Sequence, residues 1–159
     1  MKARPTLQRH LQRINLVTMG TAMLALVVLT TLGGLVTAVY GKVETARVQA
    51  RILADNAVAT LMFQDDRAAR ELLEALRNSP EYLQAAIYDA KGGMLAEYAI
   101  AGQPPRRSNL ALGQDGFKVH GNYLELMQPI LFDRKVMGSI HLTVDLLPLY
   151  RQTLFNGGL

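Results

Sequence analysis

Two histidines are the residues of this chain best suited to reversible chemistry. His120 and His141 both fall in segments that read as strands. An imidazole titrates near pH ~6.5 and is a common metal ligand, so the pair could share a metal or sense the pH of its compartment. No third ligand stands at a telling spacing, so no metal is assigned, and two solvent-facing strand histidines are the simpler reading. Arg106 and Arg107 follow two prolines in a long loop. They could clamp an anion or an acidic patch on a partner; a solvated loop is again simpler. Gly92-Gly93 is hairpin chemistry rather than a phosphate cradle. No Ser/His/Asp set, Gly-rich phosphate loop or paired-carboxylate motif is discernible. The chain therefore reads as a non-enzyme with no cofactor.

The elements that must position these residues begin with an apolar run. Between Arg13 and Lys42 stand 28 residues without a charged side chain. At ~1.5 Å per residue this is a helix of roughly 42 Å, longer than the ~30 Å hydrocarbon core of a bilayer. Residues 14–41 read as a transmembrane helix. Val36-Thr37-Ala38 is a passable cleavage site, but the run far exceeds the ~7–15 residues of a signal peptide's apolar core. An uncleaved anchor is expected. Gly34 and Ala38 form a small-xxx-small pair that would let a second helix approach.

Charge sets the orientation. The pI of about 9.6 and net charge of +4 suggest nucleic-acid binding until their distribution is seen. Lys2, Arg4, Arg9 and Arg13 precede the apolar run with no acidic partner, and the remaining 13 basic residues are matched by 13 acidic ones. The excess lies wholly in flank 1–13. That asymmetry holds the N-terminus in the cytoplasm and exports the chain beyond the apolar run. No nucleic-acid partner is expected. The absence of cysteine fits an exported domain built without disulfides.

Beyond the membrane, residues 42–62 contain no Pro or Gly. Val43, Ala46, Ala50, Leu53, Ala57 and Leu61 recur at spacings of three and four. The stripe predicts a stalk helix continuous with the membrane helix, packing on a partner copy or on the domain's own sheet. Asp65 or Asp66 can cap a second, short helix ending at Asn78-Ser79-Pro80. The period then changes. Strands are expected over 82–89, 94–99, 117–120, 123–132 and from Val136 through Val144. Pro129 must lie at an edge or bulge. Val136, Gly138, Ile140, Leu142 and Val144 alternate with Ser139, His141, Thr143 and Asp145, a strand with one buried face. Residues 101–116 form a long, mobile loop. Asp145 caps an exit helix over 147–159, where the chain stops after one or two turns, as a truncation would.

The fold class is therefore α+β: a transmembrane helix running into a stalk, then a domain over 63–146 with a short helix and about five antiparallel strands. Three stretches carry a resemblance: Arg51–Leu76, Ala86–Ala96 and Gln128–Leu146. In the same order, they resemble the CHASE-type periplasmic sensor domain, which is PAS-like. That domain occurs in bacterial inner-membrane diguanylate cyclases of the YfiN (TpbB) kind and in sensor histidine kinases. The resemblance implies an inner-membrane location, a homodimer joined through stalk and membrane helices, and a periplasmic protein or small ligand as partner. It implies that Tyr88, Lys118, His120 and Tyr123 line the concave face where PAS-like domains bind small molecules. Gly138 and Asp145 would transmit the signal, one by allowing a bend and the other by capping the output helix. The family continues into a second membrane helix, a HAMP linker and a catalytic domain. This chain lacks the Gly-Gly-Asp-Glu-Phe cyclase motif and a phospho-accepting histidine helix. A stand-alone anchored interaction protein is the alternative. A pseudopilin would need a prepilin-peptidase site that the sequence lacks.

Overall fold

The structure, a computed structural model, describes residues 5–102, 108 and 110–156, with side chains from residue 12 to residue 151 of that range. Helix α1 is one rod, Pro5–Phe63. Over residues 12–34 it is exposed throughout, with Leu16, Met19 and Leu29 each more than 70% exposed. An apolar helix this long and this bare suits a bilayer rather than a soluble core, and among the described residues it alone is long and apolar enough to cross a membrane. Thr18, Thr21, Thr30, Thr31 and Thr37 return their hydroxyls to carbonyls one turn back, so these hydroxyls are satisfied within the helix.

From Val43 onward the same helix becomes a core element. The predicted stripe of Val43, Ala46, Ala50, Leu53, Ala57 and Leu61 is buried throughout. It packs on the domain's own sheet, against the strands over 123–132 and 135–145. Gln64, at φ 50°, turns the chain out of α1. Asp65 caps α2 (Asp66–Glu74) by accepting the Arg67 and Ala68 N–H groups. A 3-10 turn, Ala75–Asn78, ends it. Ala69, Leu73 and Leu76 are the buried side of this unit.

Five strands come next: β1 (Tyr82–Asp89), β2 (Met94–Ala99), β3 (Gly116–His120), β4 (Tyr123–Phe132) and β5 (Lys135–Asp145). They form one antiparallel sheet in the order β2-β1-β5-β4-β3. The β1–β2 turn is closed by Asp89, whose Oδ1 accepts the Lys91 and Gly93 N–H groups, with Gly92 at φ 85°. The β4–β5 turn places Asp133 and Arg134 both at positive φ, the geometry of a two-residue type I′ hairpin. Pro129 lies where β3 no longer pairs with β4, a local edge just ahead of the Ile130/Leu131 bulge. Helix α3 (Leu147–Asn156) leaves from the end of β5.

Period-2 alternation sorts the sheet. Leu124, Leu126, Ile130, Ile140, Leu142 and Val144 face α1 with Ala85 and Ile87. Gly138 belongs to this face and lets Leu61 settle on the backbone of β5. The opposite face carries Ser139, His141 and Thr143, and the sequence leads one to expect it in solvent. All three are buried. Strands β2 and β3 lie at opposite edges, so the segment joining them crosses the sheet. At Gly113 that crossing lies on the polar face, where the Gly113 N–H donates to Ser139 Oγ at 2.7 Å.

Candidate functional site

The site is the polar face of the sheet beneath that crossing. Directly opposed residues share a face, so the register fixes its composition. Lys118, Glu125, Thr143 and Gln84 stand in one row across β3, β4, β5 and β1. The adjacent row holds Met127, His141 and Ala86, and Tyr88 and Ser139 lie one row further. At the other end His120 opposes Tyr123.

Burial makes this set unusual. Glu125 is 3% exposed, and His141 and Thr143 are 0% exposed. Both ring nitrogens of His141, the Thr143 hydroxyl and Glu125 Oε2 have no hydrogen-bond partner among the described residues. A buried polar group left unpaired costs about 1–3 kcal/mol. A sheet that needed only stability would carry valine or leucine here. Concentrating that cost on adjacent strands marks a surface kept polar for another purpose.

The electrostatics are set by the packing. Burial pushes the His141 imidazole below its usual range, and nearby Glu125 opposes that shift without cancelling it. His141 is therefore neutral at pH 7, with one nitrogen able to donate and one to accept. His120 Nε2 lies 3.4 Å from Glu125 Oε2, an ion pair when the ring is protonated. The His120 ring stacks on Tyr123 with centroids 4.8 Å apart. Gln84 Nε2 donates to Glu97 Oε1 at 2.8 Å, closing the row on the β2 side. The face thus offers a carboxylate, a neutral imidazole, a hydroxyl and a cationic rim at Lys118. This suits a small polar ligand held by several directed hydrogen bonds. Among the described residues no group of three or more His, Cys, Asp or Glu is placed to hold a metal.

The register puts Tyr88, Lys118, His120 and Tyr123 on one face. Arg106 and Arg107 lie outside the described residues. Glu125, Thr143 and Gln84 were not legible as site residues. Each alternates correctly for a solvated face, and nothing local tells that a distant segment crosses over it. His141 was legible as a residue but not as a buried one.

A family model for periplasmic sensor domains, CHASE8, matches residues 41–143. The chain belongs to the CHASE8 family of periplasmic sensor domains. No curated protein matches it. The CHASE8 match opens at Gly41, where the apolar run ends, and closes at Thr143 inside the polar face. The apolar half of α1 and the whole of α3 lie outside it. At the N-terminal boundary of the match Lys42 pairs with Glu81 just ahead of β1. The C-terminal flank is tied to the CHASE8 domain. Asp145 Oδ1 accepts the Leu147 N–H at 2.9 Å and so caps α3. The Leu146 N–H donates to the Asn122 carbonyl, and Tyr150 Oη donates to the Gly121 carbonyl at 2.7 Å. The exit helix is thereby anchored to the β3–β4 turn, beside α1.

Proposed function

We propose that this chain is the membrane-anchored sensory module of a bacterial inner-membrane signalling protein, with its N-terminus in the cytoplasm and its sheet domain in the periplasm. A diguanylate cyclase of the YfiN kind is the favoured output, and a histidine kinase the alternative. Binding at the polar face is the input. One observation carries the reading: strand β5 holds all three parts of such a device. Its polar side presents Ser139, His141 and Thr143, its apolar side lies on α1, and its end caps α3. A ligand that reseats β5 must move α3 against α1. It shifts an output only if it binds the two arrangements unequally.

The stalk's apolar stripe is consumed by the sheet, so a homodimer would use the membrane helices and the exposed side of the stalk. Val48 and Ile52, each about half exposed, stand on that side. The test is a chimaera in which α3 continues in helical register into a cyclase output domain. His141→Gln and Glu125→Gln are expected to shift basal cyclic-dinucleotide output several-fold while export and folding persist. Unchanged output from exported, folded variants would refute the reading.

A further inference from the structure

An apolar groove of about 300 Å³ opens where α1 enters the domain. Val36, Val39 and Tyr40 of α1, Phe117 and Val119 of β3 and Tyr150 of α3 line it. We infer that this groove is a lipid-docking surface, by which the β3 edge rests in the interfacial zone of the bilayer that α1 has just left. The inference rests on the membrane-anchored reading.

Three observations fix the occupant. The first is length. Residues 14–41 exceed the hydrocarbon thickness by about eight residues, which places 34–41 at and above the bilayer surface. The groove begins at Leu35, so the excess apolar turns are the ones that line it. The second is the order of side chains. Tyr40, Phe117 and Tyr150 surround the opening, and aromatic residues collect at the membrane–water interface. Charged groups start just above: Lys42 pairs with Glu81, and the Arg47 guanidinium lies 5.9 Å from the Phe117 ring centroid, 3.9 Å from Asp115. Apolar, aromatic and charged residues succeed one another along α1 as they do across a leaflet boundary. The third is exposure. Phe117 is 41% and Val119 40% exposed, although both sit on the sheet face that packs against α1 further up. Continuity with the membrane helix makes a phospholipid, its acyl chain against the groove, the fitting partner.

The chain contains no Trp, so a single introduced indole reports its own site. Phe117→Trp is reconstituted as the full chain in phosphatidylethanolamine–phosphatidylglycerol vesicles carrying acyl chains brominated near the headgroup. Val119→Trp repeats the reading should the first variant disturb the sheet. Leu24→Trp, near the bilayer centre, is read in matching vesicles brominated near the acyl-chain ends and controls for membrane insertion, and Phe132→Trp, on the β4–β5 hairpin, reports the far end of the domain. The inference expects the Phe117 and Val119 reporters to lose roughly half their emission, as an interfacial indole does, with Phe132→Trp unaffected. Quenching of Leu24→Trp alone would overturn the inference and leave the anchor intact. Emission at 117 that tracks protein density rather than bromination would assign the groove to a second copy, and would also overturn it. Loss of quenching at Leu24 would remove the anchored reading itself.

Discussion

Leu61 of α1 rests directly on Gly138 of β5. A Cβ built at 138 would stand 2.8 Å from Leu61 Cδ1 and 2.2 Å from the Tyr88 carbonyl oxygen. The stalk helix and the central strand meet here without a side chain between them. Leu61 could rotate away from an added methyl, but the β1 backbone could not. Gly138→Ala should therefore cost about 2–3 kcal/mol, the upper part of the overpacking range. A urea melt of the exported domain reads this as a lower midpoint at unchanged slope. An unaltered midpoint would mean that α1 and β5 are not so closely seated.

Thr143 invites the opposite result. Among the described residues its buried hydroxyl has no partner, so Thr143→Val removes a desolvation cost while keeping the shape. The variant should be as stable as the parent or more stable by ~1 kcal/mol, yet respond less to whatever engages the polar face. Thermal melts and chimaera output together check the pair of effects. A clear loss of stability would show that the hydroxyl is bonded in the folded protein.

His141 gives the domain a pH dependence with a definite sign. Its folded-state pKa is depressed, chiefly by burial. The unfolded chain therefore takes up the proton first. The stabilising contribution is complete above the unfolded value of about 6.5 and is lost as pH falls below it toward the folded value, by at most about 1.4 kcal/mol per pH unit. Urea midpoints collected downward from neutral pH should fall, and His141→Gln should flatten that slope. A slope of the same size in the variant would assign it to other groups.

Much of this architecture was legible in the sequence because it is written in local periods. The stripe from Val43 to Leu61, a cap at Asp65 or Asp66 and the strand character of β5 each need only neighbours in sequence to be recognised; the stripe is buried, Asp65 is the cap and β5 is a strand, although both of its faces are buried rather than one. The illegible part depends on contacts distant in sequence. Whether the stalk stripe met a partner or its own sheet could not be decided from its spacing. The contact of Ser139 with Gly113, 26 residues away in sequence, depends on a crossing between two sheet edges, and strand order is not a local property. Gly138 reads as a place to bend, but lies beneath the Leu61 side chain.

The exit helix is held by two bonds that can be removed singly. Asp145→Ala deletes the cap at Leu147 and should cost about 1 kcal/mol. Tyr150→Phe deletes the tie to Gly121. Both losses should be local: amide exchange should quicken in α3 while the sheet keeps its protection. Uniform quickening throughout the domain would show instead that α3 is part of the cooperative core.

The absence of cysteine allows the most direct test of the central claim, that the polar sheet domain lies across the membrane from the N-terminus. Single cysteines at Phe132 and Thr6 are exposed to a membrane-impermeant maleimide in cells whose outer membrane has been made permeable. Phe132→Cys should label in intact cells, and Thr6→Cys only after the inner membrane is broken. Labelling of Phe132→Cys only after lysis would place the domain in the cytoplasm and contradict the account.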